Sequence, residues 1–274
     1  MSLDAPTAAG VSDYHEFPPP RQLAGHVLCM WTQSIADWQE TYCQRVLPDG
    51  CIDIILIGDD APTAVGPWTE PFTAQLAPGT AIVGARFHPG LAPAMLGLPA
   101  CAILNQFVPL RSIWRRGVCA RFERIAEKPS LPARRSALEA ALYDRLLYAD
   151  PVDEVVRAAI DWLARNPQGR MEQLGRWTGF STRQLQRRFT AAVGYGPKMF
   201  QSVLRFQRLL HLSGRFSARQ SLAQLSADLG YADQAHMTRD VQRFSGSPPT
   251  VLLRSALCAL KLSGLIEPAC GQDR

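Results

Sequence analysis

Long apolar runs are missing from this chain of 274 residues. None approaches the ~18–20 residues that a membrane-spanning helix needs, so no membrane partner is expected. The first twenty residues hold no basic stretch leading into an apolar one, which argues against a secretion signal. Cysteine is present without pattern. Cys29, Cys43, Cys51, Cys101, Cys119, Cys258 and Cys270 form no Cys-x-x-Cys pair, which points to reduced thiols in a cytoplasmic protein rather than a disulfide frame or a zinc site. No His-x-His occurs, and His15, His26 and His88 stand apart, so no metal site is expected. The Gly-x-Ser-x-Gly, P-loop and dinucleotide fingerprints are absent as well. The chain therefore offers no familiar catalytic motif, and no cofactor is expected.

What the chain does hold is unevenly placed. Residues 170–250 contain 12 Lys and Arg against 4 Asp and Glu, whereas residues 1–169 contain 14 against 18. A basic excess confined to one segment is the electrostatic footprint of phosphate binding.

The same segment is written twice. Leu174, Gly179, Leu185, Phe189, Gly194 and Pro197 are answered by Leu225, Gly230, Met237, Val241, Gly246 and Pro249, with spacings of 51 or 52 residues. Fixed-period self-similarity marks a repeated supersecondary unit. Each copy reads as a helix, a glycine turn and a second helix. In the first copy Met171, Leu174 and Trp177 form the apolar stripe of the first helix. Ser181 caps the second, and Leu185, Phe189 and Val193 lie on its inner face. Arg183, Gln186, Arg187 and Thr190 then point outward. In the second copy Met237, Val241 and Phe244 point in, and Gln234, Thr238, Arg239 and Gln242 point out. Arg suits guanine edges and Gln suits adenine edges in a major groove, two hydrogen bonds each. Between the copies Pro197 starts a helix running to about Leu212. Sixteen residues span about 24 Å, and with the width of the flanking units this can set two recognition helices about one DNA turn apart. Lys198, beside the free N–H groups of that helix start, suits a phosphate.

Ser181, Leu185, Arg187 and Phe189, then Gly194, Pro197, Phe200 and Arg205, then Gly230, Tyr231, Asp233, His236 and Arg239, and finally Phe244, Gly246 and Pro249 resemble the DNA-binding domain of the AraC/XylS family of bacterial transcription regulators. The resemblance covers about a third of the chain. Val241, Leu209 and Leu252 depart from the family's usual residues, all by apolar exchanges. The resemblance implies double-stranded DNA as partner, and RNA polymerase too if the protein is an activator. His236 matches a family position, where contact with DNA and capping or packing are the two readings. Arg205 is expected to tie the linker helix to the domain core.

Ahead of this segment the pattern is β-like. Strands are expected at His26–Thr32, Gln44–Gly50, Cys51–Ile57, Ala64–Trp68, Phe72–Leu76 and Ala81–Phe87, followed by helices near Leu91–Leu98, at Ser136–Tyr148 and after the cap Asp153. Val46 to Leu56 and Gly84 to Gly90 with Leu96 to Ala100 are similar to an uncharacterised sensor-type domain found ahead of AraC-type domains, which implies a β-rich domain with a cupin-like form as one option. The expected class is α+β with two domains, the β-rich one followed by an all-α double helix–turn–helix domain. Its parts are a disordered tail at 1–20, the sensor domain at 21–130, a linker or dimer helix at 131–150, the DNA-binding domain at 151–260 and a tail at 261–274. Trp31, Asp53 and Arg86 are candidates for an effector pocket. Asp49, Asp53 and Arg86 sit beside strand ends, where turn capping and a buried ion pair are the structural alternatives. The leading expectation is a transcription regulator governed by a small-molecule effector. Its rivals are an enzyme domain fused to a DNA-targeting domain, and a constitutive DNA binder whose N-terminal domain only makes a homodimer.

Overall fold

The computed structural model describes residues 12–38, 41–212 and 221–254. The expected tail at 261–274, together with Cys258 and Cys270, lies outside them. Strands β1 (Ser12–Phe17), β2 (Val27–Ile35), β3 (Tyr42–Val46), β4 (Asp53–Ile57), β5 (Thr63–Val65), β6 (Phe72–Leu76), β7 (Ala81–Phe87) and β8 (Phe107–Pro109) build the N-terminal domain. Six of them form one antiparallel sheet in the order β1-β2-β7-β4-β5-β8, and β3 and β6 pair as a separate ribbon. The large sheet is open, with β1 and β8 as its edges.

Alternation along each strand sends neighbouring side chains to opposite faces. Met30, Ile54, Leu56, Val83, Ala85 and Phe87 face a layer of helices, namely α1 (Ala92–Leu96), α2 (Arg116–Glu123) and α3 (Leu131–Leu146). Cys29, Trp31, Ile55 and Ile82 face the other way, toward Leu76 and Tyr42 of the ribbon. Trp31 lies flat across Gly84, where any Cβ would meet its indole at 2.2 Å.

Three expectations change. The tail ends earlier than residue 20, because Ser12–Phe17 pairs along β2 from Ser12↔Ile35 to Phe17↔Met30. The helix expected at Ser136 begins at Leu131, with Ser130 accepting from the Ala133 N–H and Pro132 in the first turn. Its Leu138, Ala141 and Leu142 are buried against β2 and β7 of its own domain, while Tyr143, Leu147 and Tyr148 remain exposed. The short strand β8 and helix α2 carry too little periodicity to be anticipated.

The C-terminal domain consists of α4 (Glu154–Arg165), α5 (Met171–Thr178), α6 (Thr182–Val193), α7 (Pro197–Leu212), α8 (Leu222–Asp228), α9 (Gln234–Ser245) and α10 (Pro249–Arg254). Leu174, Leu185, Phe189, Val193, Met237, Val241 and Phe244 are buried in one core, as their spacing predicts. Trp177 is not. It is 51% exposed and only tilts against Trp162 at 6.5 Å. No helix among the described residues is long and apolar enough to cross a membrane.

The two domains meet along α4, α6, α7 and the end of α9. His26 and His88 of the N-terminal domain lie in the electrostatic reach of Arg157 and Asp161 on α4. Burial holds both imidazoles below their ordinary value of 6.5, and Arg157 adds to this at His26. An unfolded chain binds more protons than the fold below that value. Their contribution to stability is therefore intact above pH 6.5 and lost as pH falls through the lowered values. Urea unfolding should show a midpoint that drops between about pH 7 and pH 5, and His26→Gln/His88→Gln should flatten that drop. Parallel pH profiles for wild type and double variant would refute this.

Candidate nucleic-acid interface

The two repeat units reach the same shape through different caps. In the first unit Gly179 turns the chain at φ 75°. Ser181 then accepts from the Gln184 N–H at 3.3 Å, and the Gln184 side chain accepts from the Ser181 N–H at 2.9 Å. This reciprocal capping box starts α6. In the second unit Gly230 turns at φ 83°, and the Asp233 carboxylate accepts from the His236 N–H at 2.6 Å to start α9. An anionic cap also complements the positive end of the helix dipole.

These caps fix which face of each helix is free. Arg183, Gln186 and Arg187 on α6 are exposed, and Thr190 is half-buried. On α9 Gln234, Arg239 and Gln242 are exposed, and Thr238 is half-buried. Lys198 is exposed on the first turn of α7. Arg183, Arg187, Lys198 and Arg239 make no ion pair or side-chain hydrogen bond among the described residues. Neighbouring arginines are tied. Arg188 pairs with Asp153 at 2.7 Å and lies over the Phe180 ring. Arg205, only 7% exposed, reaches Pro167 O at 3.3 Å, Ser202 Oγ at 2.9 Å and Asp240 at 3.7 Å. Arg205 thus joins α7 to α9, in line with the core role expected of it. His236 packs edge-on to Tyr231 with its Nε2 3.6 Å from Asp240, and Thr238 donates to Gln234 O at 2.9 Å.

The three effector candidates come together on the ribbon-facing side of the large sheet. Arg86 grips Asp53 with two bonds, Nε to Oδ1 at 3.1 Å and Nη2 to Oδ2 at 3.2 Å. Trp31 Nε1 donates to Asp53 Oδ2 at 3.2 Å. Asp49 stands 3.6 Å from Arg86 Nε and also accepts from the Cys51 N–H, so turn capping and ion pairing both occur there. Glu16, 3.7 Å from Arg86, completes the group and is held by the Tyr14 hydroxyl at 2.7 Å. Nothing in the sequence marks Glu16 for this group, because β1 reads as tail until it pairs with β2. Burial raises the Asp53 carboxyl above its ordinary range against the pull of Arg86. Burial also opposes the charge on Arg86, yet Asp53 and Asp49 outweigh it and lift its value. Burial pushes the neighbouring Cys29 thiol up to about 12. Among the described residues no group of three His, Cys, Asp or Glu side chains is placed to hold a metal.

A cleft of about 330 Å³ opens where α1, the start of α4 and α6 converge, with Ala94, Leu98, Pro151, Asp153, Arg188 and Ala192 in its lining. Small-molecule sites begin at about this volume. Its polar end is the Asp153–Arg188 pair, and Arg188 belongs to α6.

Removing the α9 cap offers a direct check on this geometry. Asp233→Ala should lower stability by about 1 kcal/mol and fray the first turn of α9 while leaving α6 protected. Hydrogen exchange that loosens both helices equally would contradict the independence of the two caps.

Residues 15–109 match a family model described as a domain of unknown function (DUF6597), and residues 174–255 match one described as a helix-turn-helix domain. No curated protein matches the chain. Among solved structures the chain is similar to a probable AraC family transcriptional regulator from Rhodopseudomonas palustris CGA009, at 23% identity over 37% of this chain and 95% of that one, TM-score 0.34. It is similar also to the xylose-binding transcription activator xylR, at 18% identity over 44% of this chain and 38% of that one, TM-score 0.33. A third is ToxT from Vibrio cholerae, at 7% identity over 88% of this chain and 97% of that one, TM-score 0.39. Likeness at these scores carries no ligand or assembly over to this chain.

Proposed function

We propose that the chain, which carries a helix-turn-helix domain behind a domain of unknown function, is a sequence-specific DNA-binding transcription regulator of the AraC type. One observation carries the reading. Two side-chain-capped helices, α6 and α9, present arginines that are unpaired among the described residues at equivalent outward positions, Arg187 and Arg239, within the most basic part of the chain. Arg183, Gln186, Thr190, Gln234, His236, Thr238 and Gln242 flank them as the remaining base-reading or backbone-contacting positions. Lys198 and the open N–H groups of the α7 start hold a phosphate. Phosphate contacts supply affinity, and base edges supply sequence choice.

On the specific site, Arg187→Ala and Arg239→Ala should each cost ~1–3 kcal/mol and relax preference at one half-site. Lys198→Ala should weaken all sequences alike and reduce the salt slope by about 0.9. The same sequence-independent loss from Arg187→Ala and Lys198→Ala would overturn this division of roles.

Control by a small molecule is the second part of the proposal. Trp31, Asp53 and Arg86 form a buried polar cluster on the ribbon-facing side of the sheet, and they are the effector contacts under this reading. The cleft beside Arg188 is the alternative seat, favoured by its volume and by its wall on α6. A compound that raises the melting temperature of wild type should lose that effect with Trp31→Phe in the first case and with Ala94→Leu in the second. Retention of the full shift in both variants would remove both seats.

A further inference from the structure

Besides its contact with α4, the N-terminal domain touches α6, α7 and the end of α9 among the described residues. At the end of α6, Gly194 lies so close to the N-terminal domain that a Cβ would come within 2.8 Å of Pro67 Cγ and 3.3 Å of Leu104 Cδ1. On α7 the Gln207 side chain donates to Pro48 O at 2.6 Å, a buried bond across 159 residues of sequence. Beside it Gly50 lies so close to the Phe200 ring that a Cβ would come within 2.8 Å of its Cε2, and Leu47 packs on the helical core. At the end of α9, the Arg45 guanidinium lies 3.1 Å from the Cβ position of Gly246, with Pro71 at 3.9 Å. A cation at that end meets the negative pole of the helix dipole.

Arg45, Leu47, Pro48 and Gly50 belong to one short stretch, the end of β3 and the turn after it. A single piece of the N-terminal domain therefore spans from α7 to the end of α9, while Pro67 and Leu104 hold the end of α6. We infer that this domain is a brace that fixes the separation and relative rotation of α6 and α9, so that half-site spacing on DNA is specified by Arg45 and Gln207 together with α7. The inference rests on the DNA-binding reading above. It adds that the spacing preference is set by contacts outside the helix–turn–helix units. Each inserted base pair moves the second half-site by about 3.4 Å and rotates it by roughly a tenth of a turn. A held pair of helices cannot follow such a shift without losing contacts, whereas a freed pair can.

The test uses the full chain. Selection from random duplexes defines its preferred site, and duplexes with one or two base pairs inserted between the half-sites are then compared with the uninterrupted one. Wild type should lose roughly 10- to 100-fold in affinity on insertion, the effect of one or two mismatched pairs. Arg45→Ala/Gln207→Ala should bind the uninterrupted site within about threefold of wild type and lose less than roughly fivefold on insertion. Arg45→Ala alone should fall between. The ratio of the two affinities comes from one preparation, so a variant that is merely less folded leaves it unchanged. An enriched site with the same insertion penalty in all three proteins overturns the brace. Selection that enriches no sequence overturns the DNA reading itself, a separate and recognisable failure.

Discussion

Helix α7 is buried along most of its middle, polar residues included, and the rest of the molecule is arranged to tolerate that. Phe200, Val203, Leu204, Phe206, Leu209 and Leu210 are buried, but so are Gln201, Arg205 and Gln207. A buried polar group without a partner costs about 1–3 kcal/mol, more when charged. Each of the three finds its partner in a different neighbour. Gln201 donates to Gly169 O at 2.8 Å, in the loop between α4 and α5. Arg205 reaches Asp240 on α9. Gln207 reaches Pro48 in the N-terminal domain. Satisfying one helix therefore joins the first unit, the second unit and the preceding domain into one connected body.

That connection sorts the positive charge. Arg188 and Arg205 are held by carboxylates and rings, and they serve packing. Arg183, Arg187, Lys198 and Arg239 have no partner among the described residues and lie on the outer surface. Unpaired surface cations near one another repel, and a polyanion relieves that repulsion while releasing its own counterions. The cost of leaving them free is small in the isolated protein because water solvates them. In the N-terminal domain the balance is reversed. There Arg86 is surrounded by Asp53, Asp49 and Glu16, and burial makes the outcome depend on close geometry. Tyr195, just after the end of α6, carries a buried hydroxyl with no partner among the described residues, next to Asp49 and Gly50. The charged cluster and the α6–α7 junction are thus neighbours through the Pro48–Cys51 turn.

The helices of the two repeat units are legible from residue pattern, because each buries one stripe and has a glycine or a capping side chain at its ends. Asp153 and Ser181 can be read as caps for the same reason: the bonds they make lie within three residues. Strands β6 and β7 match their expected spans because turn residues bound them, Pro71 and Pro78 around β6 and Gly79 and Pro89 around β7. β1 is not legible, since Asp13, His15 and Glu16 look like loop and only the register with β2 makes them a strand. Trp177 misleads, because helical spacing says which residues share a face but not whether that face is covered.

By itself the sequence determined the repeat, its helices, the caps and the outward arginines, since all of these follow from contacts between residues close in the chain. It also put Trp31, Asp53 and Arg86 on one list without saying what joins them. Tertiary structure decided the rest: that Glu16 enters the Arg86 group from an edge strand, that α3 serves its own sheet, and that Gln207 bonds to Pro48 across 159 residues. Such pairings depend on shape and on the demand of buried polar groups for partners. No local period or motif records them, because either residue alone would fit many other surroundings.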